Sequence, residues 1–183
     1  MAFWWVNLGS TYKHEVKGFM WSPQRTATGR SQSYDNMTLI EPGDIIFGFA
    51  DTYIKAVGIA LSKAQHSPKP DFGRAGMYWH NDGWLVEVEF TELINPVQIR
   101  NHMALVGPTL PEKHSPLQAN GNANQAYLFA IPEVMASVLG LILGEEFADI
   151  INRPINYAAE EPGDKELVSA IEMRFDISET EKL

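Results

Sequence analysis

Residues 43–60, GDIIFGFADTYIKAVGIA, leave this chain little choice of fold. Ile45, Ile46, Phe47 and Phe49 form one apolar, β-prone run, and Ile54, Ala56, Val57 and Ile59 form a second. Ala50, Asp51 and Thr52 separate them with turn chemistry, so the stretch reads as a buried hairpin with a carboxylate at its tip. Gly43-Asp44 is a turn leading into the first strand. Gly48 and Gly58 inside the strands mark bulges or close backbone approach.

Around this hairpin the chain supplies short strands. Phe3–Val6 opens the series and ends at Asn7. Residues 10–35 have no periodicity and read as a long loop carrying Phe19-Met20-Trp21, a cluster that favours a functional loop over a disordered one. Ser33–Met37 opens a short helix that Pro42-Gly43 ends. Residues 62–83 read as a second long loop, with Tyr78, Trp79 and His80. Trp84–Phe90 alternates, with Trp84, Val86, Val88 and Phe90 on one face and Leu85, Glu87 and Glu89 on the other, which predicts a half-exposed antiparallel strand. Val97–Ile99 and Ala126–Ile131 complete the strands. Pro132 then starts a buried helix expected to run to Ile151, with Arg153-Pro154 ending it. Residues 155–166 look like an acidic linker, and Asp164–Phe175 like a charged helix. The expected fold class is α+β, a small β-barrel or curved sheet flanked by helices.

Charge is unevenly spread. Of the net charge of −9, residues 131–183 carry −8, with 4 basic and 12 acidic residues. Residues 1–130 are close to neutral, with 10 basic and 11 acidic, and 12–34 hold Lys13, Lys17, Arg25 and Arg30 against Glu15 alone. That local surplus is compatible with phosphate contact, and a solvated loop would look the same. The lack of cysteine excludes disulfides, thiol catalysis and cysteine-bound zinc, and fits a reducing compartment. Neither a signal peptide nor a membrane span is expected.

Catalytic patterns are missing. The five histidines never occur at i, i+4 spacing, and there is no nucleophile elbow, phosphate loop or dinucleotide fingerprint. The chain is expected to have no enzymatic activity, no metal and no cofactor. Asp44 is better read as a turn residue than as half of an acid/base pair. Binding is the stronger reading. Trp21 and Trp79 stand among glycines and prolines, where two facing indoles make a slot for a planar base, although each is also readable as a core cap. Asp51 at the slot's edge would accept a hydrogen bond from an exocyclic amine, and Asn7 would donate to other base atoms.

Several motifs resemble one family. WWVN (4–7), W-S-P-x-R (21–25), Y-D-N-M (34–37), the 43–60 hairpin, K-P-D-F (69–72) and GWLVEVEF (83–90) are similar to an EVE domain of the PUA-like superfamily, over most of residues 1–145. The likeness is greatest to the N-terminal module of modification-dependent HNH endonucleases, a subgroup that SPLQANGNANQAYL (115–128) also resembles. It implies a PUA-like barrel over 1–152, with 153–183 as a linker to an HNH nuclease domain that this chain lacks. It also implies a prokaryotic, cytoplasmic restriction or phage-defence role. The partner would be double-stranded DNA bearing cytosine modified at C5 by methyl or hydroxymethyl, the base flipped into an aromatic pocket. On that resemblance Trp21 stacks on the base, and Tyr34, Phe49, Asp51 and Trp79 line the pocket. A reader of modified single-stranded RNA, or a small-ligand or methyl-cation module, remain the alternatives.

Overall fold

A computed structural model describes residues 1–155. In chain order the elements are β1 (Phe3–Asn7), α1 (Tyr12–Glu15), β2 (Phe19–Pro23), α2 (Gln32–Asp35), β3 (Ile45–Ala50), β4 (Tyr53–Ala60), β5 (Gln65–Pro68), β6 (Asp82–Gln98), α3 (Met103–Val106), β7 (Leu128–Ile131), α4 (Glu133–Leu143) and α5 (Glu145–Ile151). The seven strands form one mixed sheet in the order β2-β6-β4-β3-β1-β7, with β5 also paired to β6. β1 runs parallel to β3 and antiparallel to β7. This is the α+β class expected, a curled half-barrel flanked by helices.

The 43–60 hairpin lies at the centre, as its composition requires. All six residues of β3 are buried. Its alternate side chains enter two cores: Ile45, Phe47 and Phe49 join Trp5, Leu139 and Met135 under α4 and α5, while Ile46 joins Trp4, Val6, Met37 and Val88 inside the curl. Strand registers shift at Gly48/Phe49 and at Ile54/Ala56, which bends the sheet.

Five sequence expectations change. The loop expected over 62–83 contains β5 and the start of β6, which leaves 69–81 as the connecting segment. The loop expected over 10–35 contains α1, β2 and α2, so Trp21 sits on a strand. Five-residue β2 has too few residues for period-two alternation to stand out. The expected strands at 84–90 and 97–99 are one 17-residue strand, β6, whose first half pairs with β2 and β5 and whose second half pairs with β4. Its expected half-exposed face is covered in part: Leu85 packs under Phe72 and Glu87 is buried, while Glu89 stays exposed. The long helix breaks at Gly144, whose φ of 73° interrupts the helical path between α4 and α5. The linker and charged helix expected beyond residue 155 lie outside the described residues.

Asp44 is the anchor of the hairpin's entry. Its buried carboxylate accepts hydrogen bonds from the Ala2 N–H (2.9 Å), the Trp4 indole N–H (3.0 Å) and the Glu41 N–H (3.0 Å). Removing it orphans three donors at once. Asp44→Ala is expected to lower stability by about 3 kcal/mol, measured by chemical denaturation, with Asp44→Asn recovering part of the loss.

Candidate nucleic-acid interface

β2 is an edge strand, and its position decides what Trp21 can touch. Trp21 is opposite Leu85 on β6, and Pro23 is opposite Gly83. The indole lies flat against Gly83, where an added Cβ would stand 2.2 Å from ring atoms. Its N–H donates to the Ser67 carbonyl on β5 (3.2 Å). The segment 69–81 leaves β5 and returns to β6, and so folds directly over this ring. Its base is closed by the Lys69 N–H donating to the Asn81 carbonyl (2.8 Å), and the Lys69 ammonium donates to the Gly76 carbonyl (3.1 Å). Gly76, at φ 67°, leaves room for the Trp79 ring, which an added Cβ would meet at 2.1 Å.

Three aromatic rings result. Trp21 and Trp79 stack with centroids 6.3 Å apart and planes 29° apart. Phe72 stands edge-on to both, 5.9 Å from Trp21 at 60° and 6.1 Å from Trp79 at 81°. The shape is a slot with two indole walls and a phenyl floor. Trp21 is 1% exposed and Trp79 38% exposed, so Trp79 is the wall that faces solvent. Beside it Tyr78 is 93% exposed. A planar guest between two walls needs about 3.5 Å to each, or about 7 Å between them. The slot is therefore shut, with Trp79 on the surface segment as its outer wall and Trp21 on β2 as its inner one.

The back of the slot is held by a buried acid. As an edge residue, Trp21 turns its backbone N–H away from β6, and that N–H donates to Glu15 Oε1 (2.9 Å). The Tyr127 hydroxyl donates to the same oxygen. Glu15 Oε2 lies 2.5 Å from Thr11 Oγ1, and that hydroxyl is 2.7 Å from the Leu8 carbonyl. One hydroxyl proton cannot serve both contacts. With Glu15 protonated every direction is consistent: Oε2–H donates to Thr11, and Thr11 donates to Leu8. Burial accordingly pushes the Glu15 carboxyl up to about 7 from 4.5, against the lowering effect of its hydrogen bonds to Thr11, Tyr127 and Trp21. Burial, and then Glu15 itself, push the Tyr127 phenol well above its ordinary value, which keeps it a donor. Burial also raises Tyr34.

The residues expected in the pocket divide. Trp21 and Trp79 come together. Tyr34 lies on α2, which packs against β7 and not on the strand and segment that carry the slot. Phe49 is in the main core, 4.9 Å from the Trp5 ring. Asn7 is occupied: its amide donates to the carbonyls of Asn124 (3.0 Å) and Ala126 (2.7 Å), and its oxygen accepts from the Trp5 indole (3.0 Å). Asp51 is 77% exposed at the hairpin tip and paired with Lys55 at 2.6 Å. Strand order explains the separation, because β4 and β6 stand between β3 and β2. The structure therefore does not bring Asp51, Phe49 and Asn7 to the Trp21–Trp79 slot. Of the basic residues, Lys13 and Lys17 are exposed around His14, whose ring meets Phe72 edge-on at 5.5 Å. Arg25 and Arg30 are exposed just beyond β2, with Arg30 paired to Asp35 at 3.2 Å.

Sequence reasoning missed Phe72 and Glu15 as site residues. Phe72 stood inside the K-P-D-F motif, and Glu15 was the lone acid in a basic stretch. Among the described residues no group of three or more His, Asp or Glu is placed to hold a metal ion, and no helix is long and apolar enough to cross a membrane.

Neither a family model nor a curated protein matches this chain. Solved structures do. A Pseudomonas syringae protein superposes with a TM-score of 0.50 at 10% identity, over 78% of this chain and 99% of that one. The YTH domain of Zygosaccharomyces rouxii MRB1, in complex with N6-methyladenosine RNA, gives 0.49 at 11%, over 79% and 87%. The Pho92 YTH domain in complex with m6A gives 0.49 at 12%, over 84% and 87%. The Pseudomonas match establishes likeness of fold.

The protonated Glu15 makes a pH prediction. Its folded value lies above its unfolded one, so its contribution is fully present below about 4.5 and is lost as pH rises to about 7. The loss is on the order of 3 kcal/mol and levels off above that window. Denaturation across pH 4–8 is expected to show this slope in the native protein. Glu15→Gln, which mimics the neutral acid, is expected to flatten it.

Proposed function

We propose that this chain is a reader of modified bases in nucleic acid, taking one base out of its stack and holding it between Trp21 and Trp79. The observation that carries the reading is the slot itself: two nearly parallel indoles over a perpendicular phenyl, with one wall on a rigid strand and the other on a surface segment. Every base has a π-face, and stacking contributes roughly 1–3 kcal/mol per base. Exposed basic side chains stand on either side of His14, whose ring meets Phe72, as Lys13 and Lys17, and beyond β2 as Arg25 and Arg30, where backbone phosphates of a bound strand would run.

The favoured ligand is double-stranded DNA carrying cytosine modified at C5, by methyl or hydroxymethyl. The motif resemblance to EVE modules supports this choice, and it supports a role as the targeting part of a modification-dependent HNH endonuclease, with recognition in this chain and cleavage elsewhere. A C5 methyl adds apolar surface at the base's edge, which an all-aromatic slot rewards over the bare ring, whereas the hydroxyl of a C5 hydroxymethyl needs a hydrogen-bond partner beyond those rings.

The test is a binding titration at fixed salt against unmodified, C5-methylated and C5-hydroxymethylated duplexes, with modified single-stranded RNA of matched sequence beside them. A preference for a modified duplex supports the reading. Equal, weak binding to the three duplexes contradicts it, and tight RNA binding replaces the DNA ligand. Trp79→Ala removes a partly exposed ring and is expected to weaken the preferred ligand about 10- to 100-fold with little change in melting temperature. Trp21→Ala opens a core cavity and Gly83→Ala drives a Cβ into the buried indole, so each is expected to erase the preference and is read beside a melting curve. Each of Lys13, Lys17, Arg25 and Arg30 that contacts a phosphate lowers the salt slope by about 1 when replaced by alanine.

A further inference from the structure

The segment 69–81 does more than supply Trp79. It carries three consecutive large apolar side chains at the surface, Met77, Tyr78 and Trp79, whereas the other six exposed large apolar residues among those described stand singly along the chain. Scattered apolar residues need no explanation, but a contiguous group marks a surface that meets a partner. Trp79 is turned onto Trp21, while Tyr78 next to it stands in solvent at 93% exposure. The Tyr78 ring and hydroxyl have no partner among the described residues.

Hydrogen-bonded turns present this pair. Gly73 and Gly76 both take φ 67°, a conformation that other residues rarely adopt. The Gly73 N–H donates to Asp71 Oδ1 (2.9 Å). The Met77 N–H donates to the Arg74 carbonyl (3.3 Å) and the Trp79 N–H to the Gly76 carbonyl (2.9 Å), so Tyr78 sits between two such bonds. The segment holds Lys69 and Arg74 against Asp71, a net of +1 in a chain of net −9. That local balance suits a polyanionic partner.

We propose that Tyr78, with Met77 beside it, enters the base stack of a duplex and fills the place that the flipped base leaves. The inference rests on the base-reader function proposed above. Bases along a strand are spaced by about 3.4 Å, so a base drawn out leaves its two neighbours about 7 Å apart. One planar ring fills that gap with about 3.5 Å on each side. Flipping forfeits stacking, and side chains wedged between base steps restore contact there. Tyr78 has the flat shape, and it lies one residue from the outer wall of the slot. A single step along the chain therefore separates the ring that would cover the base from the ring that would replace it. The flexible thioether of Met77 adapts to the flanking base, and Arg74 reaches the phosphates beside it.

The experiment titrates a duplex and a single strand of one sequence, each carrying C5-methylcytosine, with the native chain, Tyr78→Ala and Tyr78→Phe. Tyr78→Ala is expected to weaken the duplex about 10-fold and to leave the single strand unchanged, because a single strand has no paired stack to repair. Tyr78→Phe keeps the ring and is expected to bind as the native chain does. Melting curves are expected to coincide, since the side chain is exposed. A second readout places 2-aminopurine beside the modified base in saturated duplex complexes. Its emission is expected to stay quenched against the tyrosine ring and to brighten with Tyr78→Ala. Equal loss of affinity for duplex and single strand overturns the inference, as does equal 2-aminopurine emission. Unchanged duplex affinity overturns it too, and leaves the exposed tip to a protein partner. If the native chain does not distinguish modified from unmodified duplexes at all, the base-reader function fails first and the wedge falls with it.

Discussion

The Glu15 carboxyl joins the two free edges of a sheet that does not close. β2 and β7 are the outer strands, and no ladder connects them. The gap is spanned instead by Glu15, which accepts from the Trp21 N–H on β2 and from the hydroxyl of Tyr127, the residue preceding β7. The β7 side is completed by Ser33, whose hydroxyl oxygen accepts from the N–H groups of Tyr127 and Leu128 (2.8 Å each), and by Asn36, which donates to the Leu128 carbonyl (3.0 Å). Exposed edges invite pairing with other chains, and here side chains from α1 and the α2 region satisfy them. A carboxyl in that position is costly as a charge and effective as a neutral acid, because it donates on one side and accepts on the other.

The seam also fixes the functional geometry. Trp21 is held by its backbone to Glu15, by its ring to Gly83 and by its indole N–H to Ser67, so one wall of the slot belongs to the rigid part of the molecule. The opposite wall belongs to a segment closed at its base between Lys69 and Asn81 and bearing the exposed Tyr78 and partly exposed Trp79 on its return to β6. One wall on a strand and one on a surface segment would suit the proposed function, admission of a base followed by exclusion of water around it. On the proposed function the modification would lie at the base's edge, so discrimination would depend on how well the closed slot packs there.

Much of this was legible in the sequence, and the reasons for the rest are physical. The central hairpin was readable because both of its strands are buried on both faces, and unbroken apolar runs announce that. Trp21 and Trp79 stood out as bulky aromatics among turn residues. Their facing each other was expected from the sequence, but the cause was not readable there, because it depends on β5 and β2 both pairing with the first half of β6. Asp51 attracted attention as a carboxylate at a conspicuous turn, yet strand order puts β4 and β6 between it and the slot, and Lys55 engages it locally. Glu15 escaped notice because a four-residue helix has no periodicity to show which of its faces is buried. Phe72 escaped because a loop aromatic reveals its partners only once the loop's path over β2 is known.

The most direct measurement is photo-cross-linking with a duplex that carries 5-iodocytosine at the recognised position. The iodine occupies the place of the C5 modification, and irradiation joins that carbon to an aromatic ring in contact with it. Mass spectrometry of the digested complex then identifies the residue. The account predicts a cross-link to Trp21, Trp79 or Phe72. A cross-link to the 50–53 hairpin tip or to another surface aromatic, with none in the slot, would contradict it.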